Sequence, residues 1–131
     1  MTYRHLVRIR YGECDMQKVV FNANYLAYID DATDTWFREA LGGFESSGFD
    51  FMVKKVTVEW QSAARFGDVL ELEVTVTRWG TTSFDVGVAG RVAERPVLEA
   101  TLVYVSTVPG SPTPRAVPPE VRAALGGPEA A

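Results

Sequence analysis

Asp15 stands in a short polar loop, Gly12-Glu13-Cys14-Asp15, ahead of an apolar run, Val19-Val20-Phe21, and the segment Asn22-Ala23-Asn24-Tyr25. A carboxylate of this kind is ionised at neutral pH and can serve as nucleophile or general base. If residues 22–25 open a helix, the first N–H groups of that helix have no partner within it. A carboxylate and such donors aimed at one point suit attack on a carbonyl carbon, the donors holding the charge that develops on its oxygen. An Asp in a Gly-Glu-Cys-Asp loop is also a common turn former, so Asp15 alone leaves both roles open.

Other groups could carry chemistry. Cys14 could pair with His5 as a nucleophilic dyad, although a small half-buried cysteine is the commoner use. Asp30, Asp31 and Asp34 sit at helical spacing, as a solvated face, as contacts to a second copy, or as a reserve carboxylate. Trp36, Trp60 and Trp79 could shape an aromatic pocket, or simply pack in the core. Gly42-Gly43 and Ser46-Ser47 form neither a phosphate loop nor a G-x-S-x-G elbow. With one Cys and one His, a structural zinc site is not expected.

These groups need elements to place them. Leu6, Ile9 and Tyr11 among basic residues predict a first strand over 4–11, and 12–21 then form a loop. Asn22 is the expected N-cap of a long helix. Its apolar stripe is Leu26, Ile29, Ala32/Thr33, Trp36/Phe37 and Ala40/Leu41, and Gly42-Gly43 closes it. After a loop at 43–50 the period changes to two. Val56, Val58 and Trp60 alternate with polar residues; so do Leu70, Leu72, Val74 and Val76, then Phe84, Val86 and Val88, then Leu98, Ala100, Leu102 and Tyr104. Such alternation marks strands with one face on a core. Turn signals at 66–68, 80–82 and 94–96 predict antiparallel hairpins. Five prolines between Pro109 and Pro119 interrupt regular structure, Pro119 to Leu125 predicts a short helix, and 126–131 reads as a frayed, disordered tail. One helix and about five strands bury themselves most economically when the sheet curls around the helix.

The chain has 131 residues, 47% hydrophobic and 23% charged, with a net charge of −4. That fits one domain, 1–125, and argues against a nucleic-acid partner, which a basic face would attract. No apolar run approaches the ~20 residues of a membrane span. MTYRHLVRIRYG lacks the apolar core of a signal peptide, and a single cysteine makes no intrachain disulfide, so the cytoplasm is the expected location.

Asp15, Val19, Val20, Phe21, Asn24 and Tyr25, with Ala64-Arg65-Phe66-Gly67-Asp68 and Ser83-Phe84 downstream, resemble the 4-hydroxybenzoyl-CoA type of hotdog-fold acyl-CoA thioesterases. The resemblance covers roughly residues 6–125. It implies an α+β hotdog fold with an antiparallel sheet wrapped on a central helix, a homodimer with active sites at the subunit interface, and possible tetramers. It further implies hydrolysis of an acyl-CoA to free acid and CoA, with no metal or redox cofactor. Asp15 would attack the thioester or activate water, and the backbone N–H groups of Asn22 and Ala23 would form the oxyanion hole. Val20, Phe21, Tyr25, Asp30, Trp60, Arg65 and Ser83 are the expected substrate contacts. This chain departs from the family at Lys18, usually Gly, and at Asn22, often His or Tyr. It also lacks the basic hairpin that grips CoA phosphates in some relatives, where only Arg78 lies near Trp79-Gly80-Thr81-Thr82. An acyl group delivered on a carrier protein, and a non-catalytic acyl-ligand binder, are therefore the alternatives. A hydratase would need a histidine facing the acyl chain, and His5 lies on the first strand.

Overall fold

The computed structural model describes residues 2–43 and 48–128. Strand β1 (Tyr3–Arg8) leads through one turn of 3-10 helix (Tyr11–Glu13) to α1 (Asn22–Leu41). Four strands follow: β2 (Asp50–Trp60), β3 (Val69–Trp79), β4 (Ser83–Val92) and β5 (Arg95–Thr107). A short helix, α2 (Pro119–Leu125), comes last. The strands form one antiparallel sheet in the order β1-β3-β4-β5-β2, so the hairpins expected at 80–82 and 94–96 join neighbours. The one expected at 66–68 does not form: β2 pairs β5 at the far edge and β3 lies between β1 and β4.

The period-two pattern explains the layers. Leu70, Leu72, Val74 and Val76 of β3, Phe84, Val86 and Val88 of β4, and Leu98, Ala100, Leu102 and Tyr104 of β5 are buried on the inner face. Ile29, Ala32, Trp36 and Phe37 of α1 fill the concave side opposite them. Phe37 is the centre of an aromatic cluster, with ring centroids 5.0 Å from Phe51 and 5.6 Å from Tyr104. A helix inside a curled antiparallel sheet is the hotdog architecture expected above.

Several local expectations need correction. The N-cap of α1 is Phe21, which gives no side-chain hydrogen bond, and Asn22 is already in the first turn. Leu26, expected in the buried stripe, is 45% exposed. The turn expected at 94–96 falls at Ala93-Glu94, with Ala93 in the left-handed region (φ 52°) and Arg95 already paired with Val92. Strand β1 ends at Arg8, and β2 begins at Asp50, earlier than its alternation suggested. Gly42 does close α1, at φ 70°, where a side chain would be strained. Much of the loop expected at 43–50, with Ser46 and Ser47, lies outside the described residues.

The C-terminal segment closes one end of the sheet. Val117, Val121 and Leu125 are buried, and the Trp79 indole N–H donates to Gly126 O at 3.0 Å. Arg122 lies over the Trp79 ring and donates to Gly80 O. Residues 126–128, placed in the tail by the sequence, are thus described up to Pro128, with Gly126 tied to β3, and 129–131 lie outside the described residues.

Candidate active site

Asp15 sits at the tip of a miniature hairpin. Its N–H donates to Val19 O at 2.9 Å, and Cys14 and Val20 form a β-bridge. The Phe21 N–H closes the base onto Glu13 O at 3.0 Å. Of the two roles left open above, the turn-forming one is seen directly: Oδ1 accepts the Gln17 N–H at 2.8 Å, while Oδ2 has no partner among the described residues. Lys18 completes the turn at φ 64°, in the region where glycine is at ease. This explains the usual glycine of the resembling family in backbone terms.

The hairpin is held from three sides. Val20 N–H donates to Ala64 O, and the Ala64 N–H donates to the Tyr25 hydroxyl, each at 2.9 Å. Asn24 Nδ2 donates to Glu13 O at 2.9 Å. The Glu13 carboxylate accepts the Arg10 main-chain N–H at 2.8 Å and its guanidinium at 3.0 Å. Burial opposes ionisation of Glu13, but the Arg10 donors outweigh it and hold its pKa below the ordinary carboxylate value. The same burial, with Glu13 beside it, pushes the Tyr28 phenol far up.

Beside the hairpin opens a cleft of about 720 Å³, walled by Tyr11, Cys14, Asp15, Met16, Lys18 and Phe66. Tyr11 and Phe66 meet edge to face at 5.9 Å. Behind the hairpin, the first turn of α1 presents the N–H groups of Asn22 and Ala23. They have no acceptor among the described residues, because Phe21 offers no capping oxygen. The positive end of the helix dipole points the same way.

The expected substrate contacts divide. Phe21 and Trp60 are half exposed near this end of the molecule, and the Trp60 ring lies 6.0 Å from Tyr25. Asp30 is exposed on α1, and Arg65 is exposed beside the hairpin, bridged through its backbone to Val19. Val20 and Tyr25 are each 1% exposed and form the wall behind the hairpin. Ser83 is at the opposite end of the sheet, and its Oγ accepts Arg78 at 3.1 Å. Arg78 is itself committed to Asp85 at 2.9 Å.

The competing nucleophile does not assemble. His5 Nε2 lies 3.0 Å from Asp31 Oδ2, while the Cys14 thiol faces Arg10 O. Asp34 pairs with Arg38 at 2.9 Å. Sequence reasoning passed over Tyr11, Met16 and Phe66 as cleft walls and Glu13 as the anchor. The available signal was Met16 and Phe66, large apolar residues in loop positions with no strand or helix period to absorb them, whereas Tyr11 had been assigned to a first strand that in fact ends at Arg8.

The family model of the Thioesterase superfamily matches residues 17–104. The chain belongs to the thioesterase superfamily. Within it, the chain is 30% identical over 123 residues to the Acyl-CoA thioester hydrolase YbgC of Escherichia coli, covering 91% of this chain and 92% of that one. In solved structures it is similar to the 1,4-dihydroxy-2-naphthoyl-CoA thioesterase Slr0204 of Synechocystis, with a TM-score of 0.82 at 18% identity, covering 95% of this chain and 96% of that one. A gentisyl-coenzyme A thioesterase gives a TM-score of 0.83 at 19% identity, covering 95% of this chain and all (100%) of that one. Likeness at these identities speaks for the shared fold, and the superfamily match and the YbgC relative carry the family.

Proposed function

We propose that this member of the superfamily hydrolyses acyl-CoA thioesters to free acid and CoA, with Asp15 as the reacting carboxylate. The observation that carries the reading is the pairing of a partly free Asp15 carboxylate with a helix start that lacks a capping side chain. In the reaction the thioester oxygen rests on the N–H groups of Asn22 and Ala23, donors typically worth about 3 kcal/mol at the transition state. Asp15 then attacks the thioester carbon, expelling CoA thiolate and leaving a mixed anhydride for water to cleave, or it takes a proton from the attacking water. Both routes use the same groups and need no metal or redox cofactor, coenzyme A being part of the substrate. The YbgC relative, named for acyl-CoA thioester hydrolysis, supports the substrate class.

The functional unit in this reading is a homodimer. Strand β2 is a sheet edge whose inward-facing Val53, Val56 and Trp60 are 40–51% exposed. Leu26 and Phe21 continue the same apolar surface on the helix. A second copy paired antiparallel along β2 would cover this surface and bring its own β3–β4 hairpin, with Ser83, toward the Asp15 end. A tetramer would have to use the outer sheet face, where Glu59, Glu73 and Glu99 surround a hydroxyl-lined recess. Phe21, Asp30, Trp60 and Arg65 remain the substrate contacts of the proposal, with Ser83 contributed by the second copy. A free thiol at Cys14 suits a reducing cytoplasm. The commitment of Arg78 to Asp85 and Ser83 keeps one variant of the reading in view, an acyl group presented by a carrier protein, since the hairpin's own arginine is already paired and Arg122 reaches its carbonyls from α2.

Release of CoA from a panel of short, long and aromatic acyl-CoAs, compared between wild type and Asp15→Ala, tests the reading. Loss of at least a hundredfold in kcat is expected for the variant. Turnover equal to wild type would remove Asp15 from the mechanism, and tight acyl-CoA binding without turnover in the wild type would favour a binding protein.

A further inference from the structure

Asn24 takes no part in the bond-making steps, yet its side chain makes a long-range tie in the site, reaching Glu13 O at 2.9 Å, 11 positions back along the chain. That carbonyl also accepts the Phe21 N–H at 3.0 Å, so both of its lone pairs are occupied. The two bonds have different consequences. The Phe21 bond closes the hairpin on itself, together with the Cys14–Val20 bridge and the Asp15-to-Val19 bond. The Asn24 bond joins the hairpin to the first turn of α1, the turn that offers the oxyanion donors. Asn24's own main-chain N–H is spent on Phe21 O at 2.8 Å, so its side chain is the part left to make the join.

Glu13 is the fixed end of this tie. Its carboxylate is held by Arg10, and the buried Tyr28 hydroxyl stands beside it one turn further along α1. Glu13 therefore has little freedom to follow the hairpin if Asn24 lets go. We infer that Asn24 is a positioning residue that, through Glu13 O, fixes the separation between the Asp15 carboxylate and the N–H groups of Asn22 and Ala23. The inference rests on the reading of Asp15 given above, and it adds a residue whose effect on the reaction passes entirely through that carboxylate.

Asn24→Ala and Asn24→Asp test it, the second keeping the side-chain size while turning the donor into an acceptor that faces Glu13 O. Each is expected to lower kcat for acyl-CoA roughly ten- to a hundredfold, the scale of a reacting group displaced by about 1 Å, with KM within about twofold of wild type. The readout that a merely structural residue would not move is a double-mutant cycle with Asp15→Ala. Adding Asn24→Ala to Asp15→Ala should cost less than about twofold, because no carboxylate remains to be placed. An equal loss in both backgrounds, or a kcat within about twofold of wild type for Asn24→Asp, overturns the inference. So does loss of the folded circular-dichroism spectrum in both single variants, which would assign Asn24 to the fold alone. A wild-type kcat in Asp15→Ala is a separate result that sinks the Asp15 reading itself, and the inference with it.

Discussion

At the scale of single residues, the site is shaped by two side chains that local rules would not choose. Lys18 occupies a left-handed turn at φ 64°, a conformation that costs a side-chain-bearing residue about 1–2 kcal/mol. Lys18→Gly is therefore expected to raise stability by about 0.5–1 kcal/mol after the extra chain entropy of glycine is counted, read as a shift of the denaturant midpoint. An unchanged or lower midpoint would mean that the Lys18 side chain makes a compensating contact. Phe21 is the second case. Ser, Thr, Asp or Asn at an N-cap would satisfy a first-turn N–H, and Phe21 cannot. The omission leaves first-turn N–H groups open, so a weak cap and the proposed oxyanion donors are one feature seen from two sides. Asn22 was the expected cap because its side-chain oxygen can satisfy a first-turn N–H, but the helix begins one residue earlier and takes Asn22 as its first helical position.

At the scale of elements, the strands and the long helix were legible and the joints were not. Alternation in Leu70 to Val76, in Phe84 to Val88 and in Leu98 to Tyr104 reported faces correctly, because each strand has one side on the core. Leu26 broke the helix stripe: it is 45% exposed while Tyr25 and Ile29 on either side of it are buried. The turn at Ala93-Glu94 was displaced by one residue because Pro96 reads as punctuation, whereas here it sits inside β5 opposite Arg91, at a register irregularity where its missing N–H is tolerated. Tyr25 shows the same limit within the site: its type and place suggested a ligand contact, and only coordinates show its hydroxyl accepting the buried Ala64 N–H. Tyr25→Phe should leave that N–H unpaired and cost about 1–3 kcal/mol of stability, measured by equilibrium unfolding. A loss below about 0.5 kcal/mol would show that Ala64 finds another acceptor, and that the wall behind the hairpin is less dependent on Tyr25 than its geometry implies.

At the scale of the whole molecule, the uncovered inner face of β2 is the main unfinished surface. Val56 lies at its middle, 40% exposed. A carboxylate there would be buried unpaired in any dimer that covers this face. Val56→Glu is thus expected to shift the protein toward monomer in sedimentation velocity and to reduce turnover with it, while the isolated fold survives. A dimer of unchanged strength would move the subunit interface elsewhere, and full activity in a monomer would show that one chain suffices. The uncapped mouth of α1 has a bearing on engineering as well. A laboratory selection for heat tolerance alone would be drawn to position 21, where a small hydroxyl-bearing substitute tightens the helix. On the proposed reading of that helix start, the survivors would endure higher temperatures with the oxyanion donors stoppered, so such a campaign must screen for turnover at every round.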